Sequence, residues 1–508
     1  MTDFAGLAVK PKGNPRETDE KVAAFLEAKG LLFKKEKIAH SYPHCWRCDT
    51  PLLNWAANSW FVKVSALKQK MLKENKKVGW TPEHVGAGRF NNGLMTAPDW
   101  AISRTRFWGA PLPVWRDKKT KEIMVAGSVN DVLAMARRSG NRYFVMRHGE
   151  CRGNVEKFVD YIGMPENHLT EKGKHEALHT AAELKREKID MIVASPFERT
   201  HETARIVLRE LGLPDGALMT DERLHDASSK DPATRQRMGE FLFEIERRYT
   251  NKNILIVSHG SPIWILQKVA ARLPADHFLE KLMLHTAEVR ELPFTPFPHN
   301  SNYELDLHRP YIDDFAVRGE WERVPDVFDC WFESGAMPFA SHHYPFNKQK
   351  FDPKRWLGLA PKGHPADFIA EGVDQTRGWF YSLIVLGTAL FGRAPYKHVI
   401  VNGLILASDG QKMSKRLKNY PDPMDVVERY GADALRYYLL SSPVVAGEDL
   451  RFNERGVDEI NKKVLQRLDN VRSFYDLYAD GAHLQSVSTH VLDKWILARL
   501  AQLTEEST

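Results

Sequence analysis

Val399-Ile400-Val401-Asn402-Gly403-Leu404-Ile405-Leu406, then Ser408-Asp409-Gly410, then Lys412-Met413-Ser414-Lys415-Arg416, is the stretch whose reading decides the fold. The apolar run predicts a buried strand and Ser408-Asp409-Gly410 the turn that follows it. Pro421-Asp422-Pro423 supplies a cap and a first-turn proline for a helix with Val426, Val427 and Tyr430 on one face. Two lysines therefore sit on a loop at the carboxyl end of a strand. Open α/β sheets bind nucleotides at that edge, and paired ammonium groups suit a triphosphate whose oxygens gain charge during transfer. A bare KxxK pattern would be an ordinary solvated basic loop.

Three other stretches bear on the choice: Ala370-Glu371-Gly372-Val373-Asp374-Gln375-Thr376-Arg377-Gly378-Trp379-Phe380, Asp326-Val327-Phe328-Asp329-Cys330-Trp331-Phe332-Glu333-Ser334-Gly335, and Asn402-Gly403. Together with the lysine loop they resemble the class I aminoacyl-tRNA synthetases, and within them the isoleucyl-tRNA synthetase family. That resemblance implies an α/β Rossmann-type catalytic domain, ATP with Mg2+, isoleucine, and tRNA(Ile) as partner. It gives Lys412, Met413, Ser414 and Lys415 to ATP, with Lys412 and Lys415 neutralising the departing pyrophosphate and Gly410 letting the loop move. Glu371, Gly372, Asp374 and Gln375 would hold the aminoacyl-adenylate, and Trp379 would wall the aliphatic side chain. Valyl or leucyl specificity fits the Asp374-Gln375-x-Arg377-Gly378-Trp379 phrase less well.

The chain has 508 residues, 43% of them apolar, enough for several ordinary cores. A formal charge of +6 over that length is mild: compatible with tRNA, but no argument for nucleic acid by itself. Four cysteines, two of them in one CxxC, point to a reducing compartment and away from a disulfide framework. No apolar run reaches the roughly 20 residues of a membrane span, and Met1-Thr2-Asp3-Phe4 does not open a signal peptide, so a cytoplasmic protein without membrane association is expected.

Near the start, a helix is predicted around Glu20 to Lys29, closed by Gly30. Cys45-Trp46-Arg47-Cys48 is half of a tetrahedral zinc site, or a pair of free thiols. The family resemblance places the partner cysteines upstream of Met1. Pro98-Asp99-Trp100-Ala101-Ile102-Ser103-Arg104-Thr105-Arg106-Phe107-Trp108-Gly109 resembles the family's re-entry from its editing insertion into the nucleotide-binding fold, with a role in the active-site wall. A His-x-Gly-His signature occurs nowhere in the sequence, and neither does the Thr-rich editing segment. The expectation is a chain holding the second half of the catalytic domain, its missing N-terminal half encoded elsewhere, and no isoleucine-dependent ATP–pyrophosphate exchange by this chain alone. Isoleucine and valine differ by one methylene, worth only about 1–3 kcal/mol, which is why such enzymes add a hydrolytic second sieve.

After Trp115 the pattern fades, returning clearly at Leu307-His308-Arg309-Pro310. Between lie three apolar strands: Tyr143-Phe144-Val145-Met146 runs into Arg147-His148-Gly149-Glu150, Met191-Ile192-Val193-Ala194 into Ser195-Pro196-Phe197-Glu198-Arg199-Thr200, and Ile254-Leu255-Ile256-Val257 into Ser258-His259-Gly260. Parallel pairing would bring these loops to one edge. Arg147, His148, Arg199 and His259 would then converge on one phosphate, because guanidinium forks match phosphate oxygens and an imidazole can attack phosphorus. The region resembles the histidine phosphatase superfamily. By that resemblance His148 is the phosphorylated nucleophile, Arg147, Arg199 and His259 form the phosphate pocket, and Asn154 adds a contact. The family's Leu-x-Glu acid is here Leu224-His225-Asp226; Asp226 is favoured as general acid over Glu222, and the phosphorylated substrate cannot be read.

The expected organisation is an α/β multidomain chain. Residues 1–139 form the end of an editing insertion and the re-entry, and 140–298 a three-layer α/β histidine phosphatase insertion. Residues 299–451 carry the Rossmann-type catalytic domain with the lysine loop, and 452–508 the start of a helical anticodon-binding bundle. The competing reading is an active phosphatase on a non-catalytic synthetase remnant.

Overall fold

The computed structural model describes residues 4–507 apart from 12, 37, 39–41, 46–49, 54–57, 275, 278, 354–360, 414–417 and 480–487. The chain forms two compact units, Met1–Trp60 and Phe61–Thr508. In the first, a helix spans Glu17–Ala28, three residues ahead of the predicted start, with Glu17, Asp19 and Glu20 in its first turn where the helix dipole favours carboxylates. Further on, the Cys45 amide donates to the Thr50 carbonyl (2.8 Å) and the Leu52 amide to Pro43 (3.0 Å). Cys48 lies outside the described residues.

In the second unit the predicted phosphatase strands are Arg142–Arg147, Met191–Ala194 and Asn253–Ser258. Asn253–Ser258 pairs in parallel with both of the others. Leu218–Thr220 extends the sheet in parallel, and Val289–Glu291 closes the opposite edge antiparallel. Side chains alternate across a strand, so a sheet covered on both faces needs apolar residues at every position. Tyr143, Val145, Met191, Val193, Ile254 and Ile256 pack one way, against helices Pro232–Arg248 and Gly260–Ala270. Phe144, Met146, Ile192, Ala194, Leu255 and Val257 pack the other way, against helices Glu171–Leu184 and Glu198–Glu210. Those are the expected three layers.

This domain is tied to the rest of the unit through a neck. Val114–Asp117 pairs antiparallel with Ile123–Val125 and with Trp321–Arg323, so the chain leaves and returns on adjacent strands. Trp115, 1% exposed, packs there with Ala126, Val132, Met135 and Ile312.

A second parallel sheet lies upstream of the lysine loop: Ala366–Gly372 pairs with Tyr396–Asn402, which pairs with Gly79–Thr81. The apolar run from Val399 to Leu406 predicts one buried strand. It is two: the first ends at Asn402, and Ile405–Leu406 joins a separate pairing with Leu450–Arg451. The break is at Gly403, whose amide donates to Val444 (2.8 Å) and on which a Cβ would run into the Glu448 carbonyl oxygen. Val399 and Val401 are buried; Ile400 faces out. The predicted helix is Pro423–Tyr430, with Asp422 capping the Met424 amide (2.8 Å) and Val426 buried. After Arg451 the described residues are helical: Glu454–Ile460, Gln466–Tyr478 and Val491–Ser507, the last two with no buried residue. Among the described residues no helix is long and apolar enough to cross a membrane.

Candidate active sites

The phosphatase-type site is assembled by the sheet. His148 extends the Arg142–Arg147 strand by one residue: its amide donates to Ser258 (3.1 Å) and its carbonyl accepts from Ala287 (3.1 Å). The ring is buried, and its Nδ1 lies 2.8 Å from the Gly149 carbonyl. A carbonyl only accepts, so Nδ1 carries the proton and Nε2 keeps its lone pair. Burial, reinforced by the Arg199 charge, pushes the His148 pKa down to about 3, so the ring is neutral. Gly149 and Gly173 pack backbone against backbone; a Cβ on Gly149 would lie 2.4 Å from the Gly173 carbonyl oxygen.

Arg199 enters from the first turn of its helix, 3% exposed, with Nη1 2.5 Å from Asp160 Oδ2 and Nη2 3.2 Å from Asp226 Oδ2. The threonines of the Arg-Thr-x-x-Thr phrase brace this turn: Thr200 Oγ1 donates to Ser195 (2.9 Å), and Thr203 Oγ1 donates to Arg199 (2.7 Å) and accepts from Gly149 (3.1 Å). Arg147 donates from Nη1 to Leu284 (3.0 Å), and its buried Nε has no partner among the described residues.

Asp226 is placed by the neighbouring strand, because Ser258 Oγ donates to the Leu224 carbonyl (2.7 Å). Burial raises the Asp226 pKa above the usual carboxylate range, against the opposing charges of Arg199 and Arg147. Arg147, His148, Asn154, Arg199 and Asp226 all line one cavity of about 230 Å³. Glu222 is exposed and outside it. His259 stands behind His148, the two ring centroids 5.3 Å apart, with Nε2 2.7 Å from Ser195 Oγ and Nδ1 3.8 Å from Asp226 Oδ2. It is wholly buried and not part of the cavity lining.

Two contributors carry no signal in the sequence pattern. Asp160 orients Arg199; burial pushes its pKa up, but hydrogen bonds from Asn167 and Met164 and the Arg199 charge hold it below the usual range. It sits in an irregular loop with no periodicity to mark it. Ser195, which holds His259, lies inside the Ser-Pro-x-x-Arg-Thr phrase, where spacing alone gives it no role of its own.

The synthetase-type site is built on the other parallel sheet. Gly372 is in register with Asn402, so the Glu371–Trp379 segment and the Asn402-Gly403 turn leave the carboxyl ends of neighbouring strands, while the lysine loop follows Ile405–Leu406 in the separate pairing. Trp379 donates from its amide to Gln375 Oε1 (2.9 Å) and from Nε1 to the Ser334 carbonyl (2.9 Å). Gln375 Nε2 donates to Asp374 Oδ2 (3.2 Å). Glu371, Gln375 and Trp379 meet Trp331, Ser334 and Met337 around a cavity of about 360 Å³. The Pro98–Gly109 segment braces that wall: Arg104 Nη2 contacts Asp329 Oδ2 (2.7 Å), and Asp329 Oδ1 caps the helix Cys330–Ala340 through the Trp331 amide (3.2 Å). Lys412 is exposed and forms a bridge with Leu406. Gly410 has φ +81°, a left-handed turn position, so its freedom is spent on the turn ahead of the lysines. Ser414 and Lys415 lie outside the described residues.

A family model described as tRNA synthetases class I (I, L, M and V) matches residues 17–157 and 283–452. The chain belongs to the class I tRNA synthetases. A second model, histidine phosphatase superfamily (branch 1), matches residues 143–231 and 230–298, so this synthetase carries a histidine phosphatase domain. It is 33% identical to a probable cytoplasmic isoleucine–tRNA ligase of Dictyostelium discoideum over 99% of its own length and 32% of that protein's. It is 34% identical to the isoleucine–tRNA ligase of Chlamydia caviae, over 96% and 31%. The chain thus spans about a third of the length of the curated relatives it matches. Among solved structures it is similar to Bacillus stearothermophilus YhfR (22% identity, 35% of this chain, 97% of that one, TM-score 0.27) and to a mycobacterial glucosyl-3-phosphoglycerate phosphatase (20%, 30%, 90%, 0.24).

Zinc takes four ligands in a closed structural site. Cys45 and Cys48 offer two, and the one group of three metal-ligating side chains among the described residues, His168, Glu198 and Glu202, does not include Cys45. Among the described residues, which exclude Cys48, no zinc centre forms around Cys45.

Proposed function

We propose that the chain joins part of the isoleucine-activating site of an isoleucine–tRNA ligase, an enzyme that takes ATP–Mg2+ and tRNA(Ile) as its other substrates, to a phosphomonoesterase on the inserted domain. The organisation is the one read from the sequence, residues 140–298 being the insertion, with a cytoplasmic location.

The observation that carries the phosphatase half is the neutral, Nδ1-protonated His148 sharing one cavity with two arginines and a buried carboxyl group. His148 Nε2 attacks phosphorus as the ester P–O bond breaks, and Asp226 gives its proton to the departing oxygen. Arg147 and Arg199 hold the non-bridging oxygens, and His259 orients the site from behind. Water then attacks the phosphohistidine while the Asp226 carboxylate takes the water's proton, returning both groups to their starting forms. The full chain is expected to hydrolyse p-nitrophenyl phosphate, and His148→Ala to abolish it. Equally slow turnover by both would make the domain a scaffold.

For the synthetase half, the isoleucine carboxylate attacks the α-phosphorus of ATP and pyrophosphate leaves, its charge met by Lys412 and Lys415. Glu371, Gly372, Asp374 and Gln375 hold the adenylate and Trp379 walls the side chain. This reading is supported by the cavity that Glu371, Gln375 and Trp379 share with the helix following Asp329. Calorimetry with a non-hydrolysable isoleucyl-adenylate analogue tests it. Binding by the wild type that is lost in Trp379→Ala is expected; no binding by the wild type would leave a phosphatase on a non-catalytic synthetase portion.

A further inference from the structure

The phosphate cavity does not end at the phosphate. Arg147, Gly260 and Ser261 line both it and a larger cavity of about 760 Å³. The larger one lies between the starts of helices Pro232–Arg248 and Gly260–Ala270 and the segment around Asn302 that returns to the synthetase body. Its volume suits an organic group of some size. Trp264 and Ile265 supply apolar wall.

One wall residue is out of keeping with a merely apolar pocket. Arg235 is 4% exposed, and its guanidinium is held rigidly: Nε donates to Asn302 (2.8 Å), and Nη2 to Leu273 (2.9 Å) and Tyr303 (3.1 Å). Its Nη1 is buried with no hydrogen-bond partner among the described residues. A buried unmet donor is costly, the more so on a cation. No carboxylate among the described residues hydrogen-bonds Nη1: Asp231 and Asp276 are exposed, the former spent on capping its helix through Ala233, while Glu304, half-buried and 3.4 Å from Asn300 Nδ2, acts on Arg235 only through its charge. The wall thus holds two arginines with a buried, unmet donor, the half-buried Arg147 beside the phosphate and the buried Arg235 beyond it.

We propose that the larger cavity receives the leaving group of the phosphatase substrate and that Arg235 recognises a second oxyanion on it, a carboxylate or a second phosphate. This rests on the phosphatase reading above. A phosphomonoester of an organic acid, or a bisphosphate, is then preferred to a neutral ester. Because Arg235 holds the carbonyls of Asn302 and Tyr303, part of this selectivity is set by the chain that follows the inserted domain.

The test uses the full chain with phenyl phosphate, 4-carboxyphenyl phosphate and 1,4-phenylene bisphosphate. Wild-type kcat/KM is expected to be about tenfold or more higher for one or both acidic esters, in line with a hydrogen bond to a charged group. A gain for the carboxylate alone, or for the bisphosphate alone, identifies which oxyanion is read. In Arg235→Gln the acidic-to-neutral ratio is expected to fall towards one. A wild-type ratio of one, or a ratio unchanged in Arg235→Gln, overturns the proposal. Calorimetric binding of the same three esters to His148→Ala and to His148→Ala/Arg235→Gln gives the comparison without turnover, so a failure of catalysis counts against the phosphatase reading alone. Arg235→Lys, which keeps the charge, guards against misfolding: retained selectivity there supports recognition by charge.

Discussion

Replacing Asp226 with asparagine tests the acid of the inserted site most directly. The two side chains are nearly isosteric, and Arg199 remains held by Asp160 Oδ2 at 2.5 Å and by the Asp160 carbonyl at 3.0 Å, so the phosphate arginine stays in place. What is lost is the proton. General acid catalysis contributes about 10²–10⁴-fold when the leaving group is poor, so an alkyl phosphate should lose that factor in kcat. A p-nitrophenolate departs without protonation, so p-nitrophenyl phosphate should lose less than about tenfold. The pH dependence has a definite sign. Burial raises the Asp226 pKa, and the acid form disappears as pH rises through that raised value. Alkyl-ester turnover should fall on that alkaline limb, while aryl-ester turnover stays flatter. On the acid side, His148 stays neutral down to about pH 3 in the free enzyme and sets no limb near neutrality. The assay is kcat against pH for both ester classes in wild type, Asp226→Asn and Glu222→Gln. Equal losses on both esters would refute the assignment, as would a leaving-group-dependent loss in Glu222→Gln.

Two further outcomes follow from the same geometry. A Cβ on Gly173 would lie 2.0 Å from the Glu150 carbonyl oxygen, backbone that cannot swing aside, so Gly173→Ala should cost about 1–3 kcal/mol, read as a lower urea midpoint. His148 is kept neutral by the fold down to about 3, but in the unfolded chain it protonates near 6.5. As pH falls below 6.5 the unfolded state takes up a proton the native site refuses, and stability drops; His148→Gln should therefore lose less stability to urea on acidification than wild type.

Much of both sites was legible because strand ends announce themselves. Apolar runs of four residues that stop at Arg147-His148, Ser195 and Ser258-His259 give strand, edge and chemistry together, and the parallel register delivers them side by side. The reading failed where the determining contact is remote. Nothing around Gly403 shows that the Glu448 backbone will fill the place of a side chain there, so one apolar run predicts one strand where two form. Nothing local marks Asp160, because its value comes from Arg199, 39 residues away. His259 was expected in the pocket wall and stands behind it, a matter of depth that spacing cannot express.

The same physics explains how one chain carries both sites. Each uses the carboxyl edge of parallel strands, where loops meet without disturbing the ladder. An insertion is tolerated when its two ends lie close, since the host then pays no closure entropy for it. Here Trp321 pairs with Asp117 and Arg323 with Trp115, so the chain departs and returns on neighbouring strands sealed by the Trp115 cluster. The neck is therefore a clasp that isolates the two folds, and Arg235, bound to carbonyls of the returning segment, is a point at which the inserted site nevertheless depends on chain outside that neck's strands. If that dependence is real, cutting the chain after 298 should leave the phosphatase fold intact while erasing its preference for acidic esters. Retained preference in such a truncated domain would show that Arg235 does not need the returning segment to hold its place.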